Sequence, residues 1–559
     1  MFAGPQARAA VRALHAYVPP LEGRRQKIRL DFNENTVGFA EHFPEVESTH
    51  LLAYPEYADL LTGISQHFHL PEDHLLITNG SDEGLFVAAF TFLEPRERAL
   101  VGSPTFALIP HYLRLCDAEV VEVPVLEDLS PDLDGLEAAL RTGIKLAMLA
   151  SPDNPTGGTV PLDRLEKWLR EFPQTVFVLD EAYFEYHGHT ALPWVIRTSN
   201  LVVSRTFSKA WGLAGLRLGL LAAHPQLIEW MQRVRSPYSV NAVAAKSLLR
   251  FLPHAQGVQQ QADAAMQRKH RVIAELRQRG YRVTPGAANF FLIWVGIFSK
   301  LLAADLSRQG VLVRDRSSLY KMGGSVRVSV GDEAEMAAFL EAIDSFGRNY
   351  ALLFDLDDTL VDTSRSYDAA VQQLTGCTHQ ELQALRAEGG FNDDWVAAGE
   401  LLIRRGQSRP QTEVVSQGKA IYAQLALREE TAYFQESELQ RWFRRHPAFI
   451  FTGRPRDEYE PVWGERLRPH FRDVLCLGEH DLPGKPSPEG LHHLLKKHGL
   501  LGGAYVGNSV DDMRAAKEAG LIAVGVTTNQ SAETLRQAGA DYILEKLADL
   551  AQLMLLEDA

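Results

Sequence analysis

Residues 201–223 read LVVSRTFSKAWGLAGLRLGLLAA, in which a short β-branched run leads through a polar loop into a second apolar run. The first run has the composition of a buried strand, and the second has the pattern of a helix that would follow it. Other short apolar runs alternate with helical patterns upstream, at 75–93, 144–152 and 175–183. Because strands that alternate with helices are joined by crossovers, the pattern predicts an α/β fold with a parallel sheet covered on both faces.

Length and composition limit the class of protein. A chain of 559 residues is too long for one hydrophobic core, so we expect several domains. Apolar and charged fractions of 45% and 23% are typical of a soluble globular protein. The net charge of -14 argues against a nucleic-acid partner, because phosphate-binding surfaces concentrate Lys and Arg.

Cysteine spacing and hydropathy indicate the compartment. Cys116, Cys377 and Cys476 lie far apart, which predicts neither a disulfide framework nor a cysteine zinc site and favours a reducing environment. The N-terminus lacks the apolar core of a signal peptide, and the longest apolar run, FFLIWVGIF at 290–298, is about half of a membrane span. We therefore expect a cytoplasmic protein without a membrane partner.

A second strand-and-loop series begins with ALLFDLDD at 351–358 and continues at 448–454, 474–479, 503–509 and 522–528. The seam lies near 343–350, where a helical pattern ends and a new strand starts. We therefore expect one domain at 1–347 and another at 348–559. Residues 364–445 have an almost entirely helical pattern, which predicts a helical insert on the second domain.

The loop after the first quoted run contains a candidate nucleophile. Lys209 follows Thr206 and Ser208 and precedes Arg217. A lysine amine can form an imine with an aldehyde cofactor, and hydroxyls with an arginine can hold the phosphate of that cofactor. Asp180 ends the run TVFVLD, where an α/β sheet places its ligands. A solvated lysine and a helix-capping aspartate are the structural alternatives.

Three further segments have both a structural and a functional interpretation. Asn154 lies in the turn SPDNPTGG, from which it could donate to a cofactor hydroxyl. A helix predicted to start at 80–82 would present free backbone N–H groups to a phosphate or simply be capped. Phe106, in SPTFALIP, could lie against a cofactor ring or pack in the core.

The order of these motifs along residues 1–345 resembles that of class I and II aminotransferases of fold type I, and most closely the histidinol-phosphate aminotransferase branch. The resemblance implies a large and a small domain with bound pyridoxal 5'-phosphate. It implies Lys209 as the Schiff-base lysine, Asp180 at the pyridine nitrogen, Asn154 and Tyr183 at the ring hydroxyl and Phe106 against the ring. Around the cofactor phosphate it implies Gly80, Ser81, Asp82, Thr206, Ser208 and Arg217.

Other motifs resemble that branch specifically, at AYVPP (16–20), LDFNEN (30–35), YPE (54–56), GAANFFL (286–292), VLVRDRS (311–317) and VRVSVG (326–331). The resemblance implies a phosphorylated amino or keto substrate with glutamate or 2-oxoglutarate, and as substrate-binding residues Tyr17, Asn289, Arg314 and Arg327. It also implies a homodimer in which Tyr54 reaches the cofactor phosphate of the partner subunit. The family usually reads NENPYGP where this chain has NENTVGF.

The stretch FDLDDT at 354–359 predicts the second centre. Asp355 and Asp357 flank one residue beyond a buried strand, so both side chains point the same way. One can serve as a nucleophilic carboxylate and the other as a proton donor, with a magnesium ion between them, whereas an acidic capping turn is the structural alternative. Thr452 and Lys485 follow in FIFTGRP and LPGKPSP, as donors to a phosphoryl group.

Residues 350–559 resemble haloacid dehalogenase superfamily phosphatases, a Rossmann-like fold, with an all-helical cap inserted after the first motif. The resemblance implies a Mg²⁺ site formed by Asp355, Asp357, Asn508 and Asp512. Asn508 stands where the family commonly has an aspartate, in GDSxxD. The lost charge should weaken metal binding, and the neighbouring Asp511 could compensate.

Together the two resemblances imply a bifunctional fusion, in which a histidinol-phosphate aminotransferase precedes a phosphatase that acts on the product. Histidinol phosphatases of this superfamily usually carry a cysteine and histidine zinc loop, which is missing here, so the phosphatase substrate could differ. Two alternatives stay open. The first is another pyridoxal phosphate enzyme, a phosphothreonine decarboxylase or an aromatic aminotransferase. The second is an inactive scaffold or sensor in place of the phosphatase.

Overall fold

The computed structural model describes residues 7–38, 52–391 and 393–555. The chain divides into two compact units. One consists of Met1–Val295 with Ser299–Leu340, and the other of Gly296–Phe298 with Glu341–Ala559. The boundary expected between 347 and 348 lies a few residues beyond this division. No helix within the described ranges is long and apolar enough to span a membrane.

The strands of the first unit mostly follow the predicted alternation. In chain order they are β1 (Ile28–Arg29), β2 (Leu75–Thr78), β3 (Arg98–Ser103), β4 (Glu119–Pro124), β5 (Leu146–Ala150), β6 (Val176–Asp180), β7 (Leu201–Thr206), β8 (Gly219–Ala223), β9 (Arg282–Thr284), β10 (Phe290–Trp294), β11 (Val311–Leu312), β12 (Arg314–Asp315) and β13 (Ser325–Ser329).

The helices begin with α1 (Ala9–Arg12), α2 (Ala58–Phe68), α3 (Gly80–Phe92), α4 (Leu108–Leu115), α5 (Leu133–Leu140), α6 (Leu162–Glu171), α7 (Phe184–His187), α8 (Pro225–Gln232), α9 (Ala242–Phe251), α10 (Ala255–Gln278), α11 (Ser299–Arg308) and α12 (Glu333–Asn349).

A seven-stranded sheet forms the centre of the first unit, in the order β2-β8-β7-β6-β5-β3-β4. The pairs β3–β4, β3–β5, β5–β6 and β6–β7 are parallel, whereas β8 is antiparallel to both β2 and β7. The helix expected at the second half of the opening stretch is therefore wrong, because 219–223 form strand β8. All five of its residues are buried between two neighbouring strands, and a short apolar run fits an inner strand as well as a helix.

The register of this sheet aligns the ends of its central strands. Ala150 of β5 pairs with Asp180 of β6, and Asp180 pairs with Ser204 of β7. Separate apolar clusters, including Phe177 on one and Val178 on the other, cover the two faces of the sheet. The loops after these strands are thus held at one edge by a core packed on both sides.

A smaller four-stranded antiparallel sheet, in the order β12-β13-β10-β9, follows in the chain, and β1 pairs in parallel with β11. Strands β10 and β13 are buried along their whole length. The first unit therefore has the large and small sheets expected for fold type I.

The second unit contains strands β14 (Tyr350–Phe354), β15 (Val361–Asp362), β16 (Thr431–Ala432), β17 (Ala448–Pro455), β18 (Asp473–Leu477), β19 (Gly502–Gly507), β20 (Ile522–Val526) and β21 (Tyr542–Leu544). Its helices are α13 (Tyr367–Thr375), α14 (His379–Ala387), α15 (Asp394–Arg404), α16 (Gln411–Glu429), α17 (Glu436–Trp442), α18 (Arg456–Tyr459), α19 (Glu465–Leu467), α20 (Glu489–Lys497), α21 (Val510–Glu518), α22 (Ala532–Gln537) and α23 (Leu550–Leu553).

Six of these strands form a parallel sheet in the order β18-β17-β14-β19-β20-β21, so β14 lies at the centre between β17 and β19. The predicted helical insert contains α13–α16, which share an apolar core of their own around Trp395. Strands β15 and β16 pair in an antiparallel ladder on either side of these four helices. This short ladder is an element that the helical pattern did not predict.

Candidate active sites

The first candidate site lies at the carboxyl edge of the seven-stranded sheet. Asn154 follows β5, Asp180 is the last residue of β6 and Lys209 lies three residues after the end of β7. These strands are adjacent and parallel, so their loops emerge side by side. The structure thus brings together three predicted residues that are distant in sequence.

Lys209 is partly buried, and its Nζ donates to the backbone oxygen of Phe32 at 2.9 Å. The same amine lies 5.8 Å from the centre of the Tyr183 ring. Tyr183 follows Asp180 by three residues and, like Asp180, is buried. The amine therefore lies near the Tyr183 ring, and the one hydrogen bond found for it among the described residues is to the Phe32 backbone oxygen.

Asp180 is a buried carboxylate whose Oδ1 makes no hydrogen bond to any described residue. Burial raises its pKa to about 7, and the charges of Asp82 and Glu181 add to the effect. A buried acceptor without a partner is costly for a protein unless a ligand satisfies it. The protonated nitrogen of a pyridine ring would provide the missing donor and the missing positive charge.

A cradle for an anion lies at the start of α3. Arg217 contacts Asp82 at 2.9 Å and the Ser208 hydroxyl at 3.3 Å, and Thr206 Oγ1 donates to Ser208 Oγ at 3.0 Å. A Cβ on Gly80 would lie 2.5 Å from the Arg217 guanidinium. Gly80 also has φ +75, a conformation that glycine adopts without strain.

Backbone packing on the other side of the cradle is equally tight. A Cβ on Gly219, the first residue of β8, would lie 2.6 Å from the backbone N of Ser81. The helix start, two hydroxyls and one guanidinium therefore converge on a place that larger side chains would fill. Free N–H groups at a helix N-terminus with such donors suit a phosphate.

Arg327 connects the two sheets of the first unit. It lies in β13, is buried, and donates to the Asn154 side chain and to the Asp31 carbonyl. Burial lowers its pKa to about 9, and the nearby guanidinium of Arg316 lowers it further. Its Nε makes no hydrogen bond within the described chain. The side chain thus has an unused donor, which suits an anionic substrate group.

A polar chain fixes the tyrosine next to Lys209. Asn33 donates to the Tyr183 hydroxyl at 2.9 Å, and Asn289 donates to the Asn33 backbone oxygen at 3.2 Å. Both asparagines are buried, and Asn33 has φ 55. Asn289 therefore acts on the site through Asn33, which was not among the predicted site residues.

The remaining predicted residues of this site lie at its margin. Phe106 packs partly buried against the apolar cluster on one face of the sheet. Arg314 lies 5.6 Å from the centre of the Phe32 ring, next to the backbone acceptor of Lys209. Tyr17 and Tyr54 are 43% and 76% exposed, and Tyr54 stacks on Tyr238. Their roles stay predictions.

Two charged residues near this site were missed in the sequence. Asp153 is buried beside Asn154, accepts from Thr105 at 2.9 Å and has its pKa raised by burial to about 7. Burial lowers the pKa of Arg316 to about 10, with a further contribution from Arg314. The motifs VLVRDRS and SPDNPTGG contain both residues, but only burial distinguishes them from surface charges.

The second candidate site lies at the carboxyl end of β14, the central strand of the six-stranded sheet. Lys485 Nζ donates to Asp355 at 2.6 Å, to Asp512 at 2.6 Å and to the Tyr505 hydroxyl at 3.0 Å. Burial opposes the charge on Lys485, but the two carboxylates outweigh it and raise its pKa. Burial and the charge of Asp512 raise the pKa of Asp355.

Asp357 is held by a residue that the sequence analysis missed. Arg454 Nε donates to Asp357 at 3.0 Å, and the same guanidinium contacts Glu430 at 3.0 Å and the Tyr422 hydroxyl at 3.0 Å. Thr452 Oγ1 lies 3.5 Å from Asp357. Arg454 belongs to the FIFTGRP motif, where the threonine was singled out and the arginine was not.

The predicted magnesium ligands fit a metal unequally. Asp512 accepts five hydrogen bonds, which come from Lys485 Nζ, the Tyr505 hydroxyl, the backbone N–H groups of Asn508 and Ser509, and the Ser509 hydroxyl. These bonds leave the carboxylate little capacity for a metal. Asn508 Oδ1 accepts only a long bond of 3.3 Å from Thr359. No trio of His, Cys, Asp or Glu in the described part of the chain is arranged to hold a metal ion. Asp355, Asp357 and the Asn508 amide oxygen are the better candidates.

Asp511, the neighbour of Asp512, contacts the cap. Both of its oxygens accept the Gly390 backbone N–H, at 3.0 and 2.8 Å. Gly390 lies in the loop between α14 and α15 of the cap, so this carboxylate fastens the cap to the start of α21. That Asp511 compensates for Asn508 at the metal stays a prediction.

A crevice of about 50 Å³ lies between the cap and the core, and is lined by Asp355, Asp357, Asp358, Thr363, Gln383, Arg386, Phe391, Asp394, Gly453, Asn508, Ser509, Asp511, Asn529 and Gln530. Its cap wall is formed by an ion cluster in which Arg386 contacts Asp368 at 2.9 Å and also Asp394. Asp355 and Asp357 thus face a polar wall from the cap.

Each unit matches a known protein family. Residues 25–343 match the family of class I and II aminotransferases, and residues 351–520 match haloacid dehalogenase-like hydrolases. The histidinol-phosphate aminotransferase 1 of Cupriavidus pinatubonensis is 34% identical over 330 residues, which cover 57% of this chain and 87% of that protein. Its counterpart in Nitrosococcus oceani is 33% identical and is covered to 96%.

Solved structures agree on the fold of the first unit. The histidinol-phosphate aminotransferase of Sinorhizobium meliloti, crystallised with pyridoxal-5'-phosphate, matches with a TM-score of 0.56 and 24% identity, over 62% of this chain and 99% of that one. The enzyme of Clostridium acetobutylicum gives a TM-score of 0.52 and 20% identity, over 57% and 98%. The chain therefore belongs to the class I and II aminotransferase family, and a haloacid dehalogenase-like hydrolase domain follows in the same chain.

Proposed function

We propose that the protein is a bifunctional enzyme that transaminates a phosphorylated keto substrate and hydrolyses a phosphate monoester. For the first activity the favoured reaction is that of histidinol-phosphate aminotransferase, with imidazole acetol phosphate and glutamate as substrates. The observation on which this rests is the buried Asp180 oxygen without a partner, at the sheet edge that also presents Lys209 and the anion cradle. That combination fits pyridoxal phosphate, which has a basic ring nitrogen, an aldehyde and a phosphate.

The cofactor, when bound, supplies an electron sink for the carbanion formed at the substrate α-carbon. Asp180 would hold the ring nitrogen in its protonated form, and Asn154 and Tyr183 would contact the ring hydroxyl. Lys209 Nζ would move the proton at the α-carbon, because it is the amine held at this edge by one backbone bond. Ser208, Thr206 and Arg217 would bind the phosphate and fix the ring orientation.

Three arginines cluster where the substrate of the first site would bind. Arg314, Arg316 and Arg327 are close enough that each of the first two lowers the pKa of Arg327. A substrate with a carboxylate or phosphate would offset this mutual repulsion. Both glutamate and a keto phosphate carry such groups. The names of the relatives that are 33–34% identical favour the imidazole substrate.

We infer a phosphatase activity for the second unit. Asp355 would attack the phosphorus atom, the bond from phosphorus to the ester oxygen would break, and Asp357 would donate a proton to the leaving oxygen. Water would then hydrolyse the acyl phosphate and release inorganic phosphate. Asp355, the Asn508 amide oxygen and the backbone oxygen of Asp357 would hold Mg²⁺, which leaves the Asp357 carboxyl to carry the proton, while Asp512 would orient Lys485 through its bond of 2.6 Å.

An assay of both products tests this proposal. Purified protein is incubated with imidazole acetol phosphate, glutamate and Mg²⁺, and 2-oxoglutarate and free phosphate are followed separately. We expect both to appear, with Lys209→Ala abolishing the first and Asp355→Asn the phosphate release. Added histidinol phosphate should still be hydrolysed by Lys209→Ala. A wild-type protein that forms no 2-oxoglutarate from this pair would refute the favoured aminotransferase reaction.

A non-catalytic hydrolase-like unit is the second candidate, and Asn508 is the observation that favours it. An amide oxygen ligates Mg²⁺ without contributing charge, and Asp512 is already saturated by protein donors. Transamination without any phosphate release from a panel of phosphate monoesters would support this candidate.

We further infer a cytoplasmic homodimer. Tyr54 and Tyr238 are 76% and 57% exposed and stack with ring centres 4.4 Å apart. Two exposed stacked aromatic rings next to a segment that resembles a partner-reaching motif are suited to a subunit interface.

A further inference from the structure

Lys269 is a buried lysine that the reaction outlined above does not use. It lies on α10, is 0% exposed, and donates to the backbone oxygens of Gly286 at 2.8 Å and Ala288 at 2.7 Å. Burial lowers its pKa to about 7, and no acidic side chain contributes to the shift. Since no carboxylate of the described chain compensates for burial of the amine, its two bonds to the loop are what offset the cost of burying it.

The loop that Lys269 holds crosses the loop that carries Asn154. Ala287 donates to the Gly157 backbone oxygen at 2.9 Å. A Cβ on Gly157 would lie 2.5 Å from the Cα of Gly286, so the two backbones touch. Both glycines have positive φ, of +73 and +56. A shift of the Gly286 loop would therefore displace the turn after β5.

The same loop continues directly into the polar chain around Tyr183. Asn289 follows Ala288, donates to the Asn33 carbonyl and accepts the Val330 N–H at 2.8 Å. Asn33 in turn donates to the Tyr183 hydroxyl. Lys269 thus holds one loop that contacts two parts of the site. Through Gly157 the loop contacts the turn that carries Asn154, and through Asn289 and Asn33 it is connected to Tyr183.

We propose that Lys269 is a positioning residue for transamination, which sets the placement of Asn154 and Tyr183 by tying down the backbone of 286–288. The proposal rests on the aminotransferase function proposed above. Loss of the amine leaves the buried Ala288 carbonyl and the half-buried Gly286 carbonyl without this donor, so we expect the loop to move towards water or other partners. The first effect should be on binding of the substrates, because Asn154 accepts from Arg327, the proposed anchor of the substrate anion, so that displacement of Asn154 also shifts this guanidinium.

Steady-state kinetics of Lys269→Met test the proposal. We expect the KM for glutamate and for the keto phosphate to rise about tenfold or more, with kcat changed by less than about threefold. Lys269→Arg keeps a cationic donor and should recover most of the affinity. Arg271→Met is the matched control, since Arg271 lies on the same helix with its side chain 57% exposed, and should leave both constants unchanged.

The outcomes separate this inference from the proposed function. If wild-type protein does not transaminate, the proposed function fails first. If it does, and Lys269→Met lowers the unfolding temperature while both constants stay at wild-type values, Lys269 is only structural and the inference is wrong. Where Lys269→Met does not fold, Lys269→Gln takes its place, and an unchanged KM in that variant equally overturns the proposal.

Discussion

Lys209 is the residue on which the first site depends, and Lys209→Ala is the simplest test of it. We expect the yellow colour of the protein with pyridoxal phosphate to disappear and transamination to fall about a thousandfold or more, since no other amine is predicted to bond the cofactor. Absorbance spectra and 2-oxoglutarate formation measure the two effects. Lys167→Ala, which removes a surface lysine paired with Glu137, is the control and should keep both. A colourless wild-type protein in excess cofactor would contradict the assignment.

Asp180 should make the cofactor-free protein sensitive to pH. Its pKa is raised to about 7 in the folded protein, so the folded state holds a proton that the unfolded state loses near pH 4. Its contribution to stability is therefore largest in acid and is lost as pH rises from about 4 to about 7.

Asp180→Asn cannot ionise, so its unfolding temperature relative to wild type should rise between about pH 5 and about pH 7.5. Thermal unfolding of cofactor-free protein at both values measures the difference. A constant difference across that interval would show that Asp180 is ionised in the folded protein at low pH.

Asn508 offers a test of the metal site proposed for the second unit. Asn508→Asp adds a negative charge next to Asp355 and Asp357, so the Mg²⁺ concentration for half-maximal phosphate release should fall severalfold. Titration of Mg²⁺ with a phosphate monoester measures it, and Asp355→Asn is the inactive control. An unchanged titration curve would place Asn508 outside the metal site.

Among the structural elements, the cap depends on a contact at the start of α21. Asp511→Ala removes the two bonds to the Gly390 N–H, so the loop between α14 and α15 should open more often. We expect faster proteolytic cleavage within 388–391 and a higher KM for phosphate monoesters. Glu518→Ala, at the exposed end of the same helix, should behave as wild type. Equal cleavage rates in all three proteins would show that this contact does not hold the cap.

Elements whose signal lies in a short local motif could be predicted from the sequence, whereas elements without such a motif could not. The strand ends that carry Asn154, Asp180 and Lys209 were predictable, because each motif is local and parallel strands share an edge. Strand β8 was misread, because a five-residue apolar run has no period that separates strand from helix.

The partners that hold the sites could not be predicted from local patterns. Asn33 meets Tyr183, and Arg454 meets Asp357, only because the fold brings distant segments together. Nothing in the sequence around Asp511 predicts its contact with Gly390, which only the tertiary structure shows. Side chains that position others have no motif of their own, so their roles appear only with the tertiary structure.

For the whole molecule, association is the property most open to test. If Tyr54 completes the site of a partner subunit, wild-type protein should sediment as a dimer, and Tyr54→Ala should bind the cofactor more weakly. Sedimentation velocity and cofactor titration measure the two effects. Ile196→Ala, a change of another exposed apolar residue outside the predicted sites, is the control. A monomer with full transaminase activity would rule out the shared site.

The β15–β16 ladder brings together the two ends of the cap insertion. Because Val361 pairs with Ala432 and Asp362 with Thr431, the chain leaves the core and returns to it at neighbouring points. A tight turn could join those two strands and close the same ladder without residues 363–430. Insertions of different size could therefore be exchanged at this position over evolutionary time, so that the surface facing Asp355 changes while β14 and its sheet stay the same.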